Sequence, residues 1–289
     1  MGKLYLGDQE IGLYHMVIPE EPLVKFDIDA SGKISKSVAP FVLSSDVKDL
    51  GDYVFYHLNE KGAATSADLS SLTDISGSYG AGYMFSECTS LASVDLSSLT
   101  TISGSNSAYY MFIRCTNLTS ADLSSLTTIS GSYGASQMFA DCTSLASVDL
   151  SSLTTISGSD GAYEMLGNCT SLTSIDLSSL TTINNSYGAD SMFSGCTGLT
   201  SVDFSSLTTI NGRYCMSSMF YGCSNLKELR FPALTANSFG KNYTNQFNNM
   251  LNGVTGCTLH FPASTQAKVE TLSGYPNFSG TNTIVLFDL

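Results

Sequence analysis

Apolar and polar residues recur along most of the chain with a period of 27 residues. Methionine, cysteine and leucine each hold one column of this pattern, because Met84, Cys88 and Leu91 each recur five more times at that spacing. A fixed period of about 20–50 residues is typical of solenoids, in which each unit buries its apolar side against the next. The pattern therefore predicts a stack of similar coils.

Within one unit, polar and apolar residues alternate over 93–97, so that Val94 and Leu96 face one side and Asp95 the other. Such a short strand cannot bury its apolar face alone. Stacking the units at about 4.8 Å would form a parallel sheet over a continuous core. A second inward-facing segment follows at 99–102, whose leucine and isoleucine also recur.

The rest of each unit is predicted to be a loop and a short helix. The loop is rich in glycine, serine and tyrosine. After it, Met111, Phe112 and Cys115 stand at i, i+1 and i+4, a spacing that suits one or two helical turns with Met111 and Cys115 facing inward.

These motifs resemble a known family. L-x-x-V-x-L, then x-x-L-x-x-I, then M-F-x-x-C-[TS]-x-L, is similar to the BspA-type leucine-rich repeats of bacterial surface and phage-associated proteins, over about 63–261. The present units differ in their length of 27 residues and in carrying M-F where A-F is usual. The resemblance implies an α/β solenoid with a concave parallel β-sheet, short convex helices and an interaction surface, without catalytic residues to transfer.

A second resemblance concerns the two ends of the sequence. F-P-A-S followed by G-T-N-T-x-V-L-F-D-L is similar to the C-terminal part of repeat proteins encoded by phages and prophages of gut Firmicutes. The opening K-x-Y-L-G-x-x-x-I is similar to the start of phage structural proteins. Both imply a phage-associated protein.

Three regions are expected along the chain. Residues 1–62 form a β-rich N-terminal domain or cap, 63–231 the leucine-rich-repeat solenoid, and 232–289 a C-terminal cap, because a solenoid end exposes apolar core. In the first region, 27–35 imitates part of a calcium loop, but Val38 stands where the bidentate glutamate belongs, which favours a hairpin turn. No metal and no cofactor are predicted.

The charge of the sequence limits the kinds of partner that it can bind. The net charge is −13, and 63–226 contain two bases against twelve acids, which predicts an acidic solenoid surface and argues against nucleic acid as a partner. No stretch approaches the roughly 18 apolar residues of a membrane span.

Six of the eight cysteines fall in one column, which predicts free, buried thiols. No secretory leader is visible, so we expect a virion-associated or cytoplasmic protein, with the cell surface as the alternative.

A column of aspartates is the first candidate binding site. It lies on the solvent side of the predicted strands: Asp68, Asp95, Asp122, Asp149, Asp176 and Asp203. One interpretation is that the column binds a cationic partner or divalent ions, which would relieve the repulsion between neighbouring carboxylates. The other is that duplication copied a tolerated surface residue, which also discourages unwanted sheet pairing.

A column of aromatic residues in the loops is the second candidate: Tyr79, Tyr133, Tyr187 and Tyr214. Tyrosine surrounded by serine, glycine and asparagine is the composition of adaptable recognition surfaces. Tyrosines that pack on one another to cover a loop edge would explain the column equally well.

The sequence lacks the nucleophile-elbow, P-loop, dinucleotide-binding and HExxH motifs, and we expect no enzymatic activity. It predicts a non-catalytic protein- or glycan-binding interaction module with a cell-surface partner and no membrane insertion. The expected setting is a structural or host-recognition protein of a phage or prophage. The alternatives are a bacterial cell-surface adhesin and a purely structural spacer.

Overall fold

The computed structural model describes residues 5–6, 9–10, 41–42, 49, 65–240, 243–272 and 281–288. Most of the predicted N-terminal region, including the calcium-like stretch at 27–35, lies outside these residues. In the N-terminal region, β1 (Tyr5–Leu6) pairs antiparallel with β2 (Gln9–Glu10). Strands are numbered in chain order.

One side of the solenoid is a column of parallel strands, as the alternating pattern predicts. In the described ranges it contains β3 (Phe41–Val42), β4 (Ser66–Asp68), β6 (Ser93–Asp95), β8 (Ser120–Asp122), β10 (Ser147–Asp149), β12 (Ser174–Asp176), β14 (Ser201–Asp203), β16 (Glu228–Arg230), β17 (Thr258–Pro262) and β18 (Thr283–Phe287). They form two five-stranded sheets, in the orders β3-β4-β6-β8-β10 and β12-β14-β16-β17-β18. Residues 27 positions apart pair from β4 to β10 and again from β12 to β16. The period in the sequence is therefore the register of the sheet.

A second column of parallel strands follows at the inward-facing segment of each unit. It contains β5 (Asp74–Ile75), β7 (Thr101–Ile102), β9 (Thr128–Ile129), β11 (Thr155–Ile156), β13 (Thr182–Asn184) and β15 (Thr209–Asn211). The isoleucines are fully buried. Threonine hydroxyls before these strands donate to the preceding coil, as Thr127 Oγ1 does to the Thr100 carbonyl at 3.1 Å. These bonds tie neighbouring coils together outside the main ladders.

The third side, which we name the turn face, comprises residues 77–87 and their equivalents in later coils. The prediction of short helices on this side is wrong. Every second backbone amide donates to a carbonyl of the next coil, as Tyr83 N does to the Tyr109 carbonyl at 2.9 Å. The amides between them donate to the carbonyl three residues earlier in the same coil, as Met84 N does to the Ala81 carbonyl at 3.1 Å. Every fourth residue is left-handed, with φ of 59° at Tyr83. An α-helix needs i to i−4 bonds and negative φ throughout, so this side is a ribbon of turns.

The turn ribbon also explains why the sequence suggested a helix. Its conformation repeats every four residues. Met84 and Cys88 are four residues apart and both are buried. The spacing alone cannot distinguish one helical turn from this repeat. The ribbon shares every second amide with the neighbouring coil, which a helix would not do.

The core runs through all described coils as stacked columns of identical or similar side chains. Phe85, Phe112 and Phe139 stack with ring centroids 5.2–5.3 Å apart and planes within 5°. Beside them, Cys115 donates its thiol to the Phe85 carbonyl of the preceding coil at 3.1 Å. Four later cysteines repeat this bond at 3.0–3.3 Å: Cys142, Cys169, Cys196 and Cys223.

All eight cysteines are buried and free, which confirms the prediction for the six in the repeated column. Burial raises the thiol pKa of five of them, to about 12 for Cys196, so these thiols stay protonated near neutral pH: Cys169, Cys196, Cys215, Cys223 and Cys257. The two cysteines outside the repeated column, Cys215 and Cys257, also pack in the core. The buried cysteines therefore act as small apolar groups of the core, and five of them also donate one weak hydrogen bond to the preceding coil.

The region beyond 231 continues the same strand column. After the 3₁₀ turn Ala236–Ser238, β17 extends the sheet to a second 3₁₀ turn, Ala263–Thr265, and the short helix α1 (Gln266–Val269). β18 then adds a further parallel strand.

Candidate binding surfaces

The six predicted aspartates share one exposed column at the end of each strand in the first column. In every copy the Oδ1 atom accepts the amide of the serine two residues later, at 2.7–3.0 Å. This side-chain turn ends the strand and directs the chain toward the second strand column. The aspartate therefore has a local structural role in each coil, and its role in binding stays a prediction.

Hydrogen bonds favour the ionised form of two of these carboxyls, those of Asp122 and Asp176. The hydroxyl and amide of Ser124 lower the pKa of Asp122, and those of Ser178 lower the pKa of Asp176. Their charges are exposed and lie against like charges in the adjacent coils, as Asp122 does between Asp95 and Asp149.

The column changes sign at its C-terminal end. Arg230 follows Asp203 in the register, and His260 follows Arg230. Glu228 contacts both, with its Oε1 atom 2.7 Å from Arg230 Nη2 and 2.9 Å from His260 Nε2. The hydrogen bond from Arg230 lowers the pKa of Glu228.

The predicted loop tyrosines fall at the start of the turn face, all in the left-handed region with φ of 53–57°. Tyr187 and Tyr214 stack with centroids 5.3 Å apart, and the Arg213 guanidinium lies 5.0 Å from the Tyr214 ring centre. Tyr79 and Tyr133 are kept apart by an intervening coil with asparagine at this position. Tyr133 is 43% exposed. The structure thus brings two of the four together.

A denser aromatic group lies further along the turn face, and the sequence reasoning missed it as a site. The tyrosine cluster consists of Tyr83, Tyr109 and Tyr110, all partly exposed. Its ring centroids are 5.6 Å apart for Tyr83 and Tyr109, 5.1 Å for Tyr83 and Tyr110, and 3.9 Å for Tyr109 and Tyr110. Tyr83 and Tyr110 are 27 residues apart, so the period itself could have revealed the contact.

Three acidic residues occupy the turn face in the coils that follow. This carboxylate group consists of Asp160, Glu164 and Asp190, and burial raises the pKa of each. Asp190 is only 8% exposed, and its pKa rises to about 6 although the Ser191 hydroxyl bonds it at 2.8 Å. The Tyr163 hydroxyl donates to Glu164 at 3.2 Å and, through burial, has a pKa raised to about 12.

One cation on the turn face is Arg114, four residues after Tyr110 of the tyrosine cluster. Its guanidinium lies 3.4 Å from Glu87 and 3.5 Å from Asp141. Across the described ranges, no set of three or more His, Cys, Asp or Glu side chains is placed to hold a metal ion. In the same ranges, no helix has the length and apolar character needed to cross a membrane. The surfaces offer aromatic faces, hydroxyls and carboxylates for recognition.

A profile of the BspA type Leucine rich repeat region matches the chain in six copies, over residues 33–133, 70–187 and 108–252. These matches cover about three quarters of the chain. The chain belongs to the BspA-type leucine-rich repeat family. Leucine-rich repeat proteins are generally non-catalytic modules that bind other proteins. A comparison with curated proteins finds no match.

Three solved structures are similar to this BspA-type protein at low sequence identity. A leucine-rich repeat protein from Bacteroides ovatus is 18% identical over 94% of this chain and 77% of its own, with a TM-score of 0.38. A leucine rich cell surface protein from Faecalibacterium prausnitzii is 14% identical over 95% and 96%, with a TM-score of 0.27. An internalin from Listeria monocytogenes is 15% identical over 77% and 56%, with a TM-score of 0.25. These likenesses are too weak to transfer a function.

Proposed function

We propose that this BspA-type repeat protein is a non-catalytic recognition module that binds a protein or glycan on a cell surface through the tyrosine cluster. The observation that carries the proposal is a comparison among its own coils. At the positions of Tyr109 and Tyr110, the next coil has Ser136 and Gln137, in the same turn with the same left-handed residue. The fold therefore does not require tyrosine at this place.

The aspartate column shows the opposite behaviour. Its residue is unchanged in six coils, and each copy makes the same structural hydrogen bond, so the fold accounts for it. The cluster varies between coils, is partly exposed and is aromatic. Tyrosine offers a large, rigid contact surface with a polar edge, which suits both peptide and sugar ligands.

We favour a phage or prophage structural or host-recognition protein as the setting, supported by the resemblance of the two end motifs to phage-encoded proteins. The runner-up is an adhesin on a bacterial cell surface, and the third possibility is a spacer without a ligand. Co-purification with virus particles would support the first, and export from a host expressing the native gene the second.

The test is binding of the purified, labelled protein to intact gut Firmicutes cells. The double variant Tyr109→Ser, Tyr110→Gln takes its residues from the next coil, so we expect it to fold. We expect saturable binding by the unaltered protein and a loss of at least about tenfold in affinity for the variant, because hot-spot tyrosines contribute more than about 1 kcal/mol each. Treating the cells with protease or with periodate separates a protein ligand from a glycan.

Tyr221→Ser is the matched control, since this tyrosine is 48% exposed and has no part in the cluster. Binding unchanged in the double variant would refute the assignment to the cluster. The triple variant Asp95→Asn, Asp122→Asn, Asp149→Asn tests the aspartate column in the same assay. The absence of saturable binding to any cell type would favour the spacer.

A further inference from the structure

Of the described strands in its sheet, β18 stands at the end. It pairs parallel with β17 at five positions, from Thr258 with Thr283 to Pro262 with Phe287. The side chain of Asn282 holds the start of the strand in place, accepting from Cys257 N at 3.0 Å and donating to the Val254 carbonyl at 3.1 Å. Among the described residues, no strand pairs with its other edge. That edge can form a further ladder of backbone hydrogen bonds.

The apolar core is also open at this strand. Ile284 and Leu286 continue the columns of Leu259 and Phe261, which are fully buried. Both continuations are only partly buried. Val285 between them follows His260 on the opposite, outer face of the sheet and is 36% exposed. The strand TIVLF carries no charge. Natural sheet edges usually carry charges, prolines or bulges that prevent pairing, and this strand has none of the first two.

We propose that β18 is the contact surface for a second copy of this chain, which pairs with it antiparallel about a two-fold axis at Val285. This register places Ile284 opposite Leu286 of the partner subunit, and Leu286 opposite Ile284 of the partner subunit. Opposite residues in an antiparallel pair lie on the same face, so the two open cores meet. The strand is thereby its own complement, as a two-fold interface requires.

Charge favours self-association at this end of the molecule. Residues 227–289 contain four lysines and arginines against three acids, whereas residues 1–226 contain eight against twenty-two. The electrostatic repulsion between two copies is therefore expected to be weaker when they meet at this end. A two-fold contact also closes on itself, so the assembly stops at a dimer.

The test is sedimentation of the full 289-residue chain across a wide micromolar concentration range. We expect a reversible monomer–dimer equilibrium. Val285→Lys places two like charges opposite each other at the two-fold axis and should raise the dissociation constant by about tenfold. Val285→Thr, which keeps a β-branched side chain without charge, should change it little.

A mixture of Val285→Lys and Val285→Glu proteins separates this proposal from simple misfolding. Each variant alone should be mostly monomeric, whereas the equal mixture should dimerise again because opposite charges then face each other. A wild-type chain that stays monomeric at every concentration would overturn the proposal. So would a dimer indifferent to Val285→Lys, or oligomers larger than two.

Discussion

The role of the aspartate column can be decided by two substitutions at one position. Asp122 Oδ1 accepts the Ser124 amide at 3.0 Å, and like charges flank it in both adjacent coils. Asp122→Ala removes the acceptor, and a net hydrogen bond of this kind contributes about 0.5–1.5 kcal/mol. Asp122→Asn keeps an oxygen in the same place and removes only the charge. Each neighbouring carboxylate costs on the order of 1 kcal/mol in water and less in salt.

We therefore expect Asp122→Ala to lower the free energy of unfolding by about 1 kcal/mol. Asp122→Asn should be neutral or slightly stabilising, and its gain should shrink as salt is added. Urea unfolding of the three proteins at low and high ionic strength measures both effects. The structural explanation fails if the Asn variant is destabilised as much as the Ala variant, because the charge would then be the required feature. Added calcium that stabilises only the unaltered protein would point to cation binding instead.

Two further predictions concern coil stacking and pH. At Gly131 a Cβ atom would lie 2.0 Å from the Gly104 carbonyl oxygen, so Gly131→Ala should lower the free energy of unfolding by about 1–3 kcal/mol and lower the melting temperature. The control Ser132→Ala changes an exposed residue and should leave the melting temperature unchanged. Equal melting temperatures for the two variants would contradict this account. Burial raises the pKa of Asp190 to about 6, above its unfolded value of about 4, so its contribution to stability is complete below about pH 4 and is lost as the pH rises through about 6. Asp190→Asn should flatten the pH dependence of unfolding in this window, and a profile unchanged by this substitution would disprove the assignment.

Much of the architecture follows from periodicity alone. The 27-residue spacing predicted the coils, the alternation around Val94 predicted the exposed and buried positions of the strands, and the recurrence of Cys88 predicted a buried thiol column. These inferences succeed because a solenoid buries each unit only against its neighbours. A column in the sequence is then a column in space.

The turn face shows where such reasoning stops. Met84 and Cys88 satisfy a helix and a four-residue turn repeat equally well. The difference lies in where alternate amides find their acceptors, as Tyr83 N does at the Tyr109 carbonyl of the next coil. That bond exists only once the coils are stacked.

The amino-acid sequence by itself determined the repeat, the strand register and which residues face the core, because each depends on local spacing and on the burial of apolar side chains. Only the tertiary structure decided the turn ribbon, the contact of Tyr109 and Tyr110 with Tyr83, and the open edge at β18. These features depend on hydrogen bonds and ring contacts between coils, where the order of residues along one unit gives no distances.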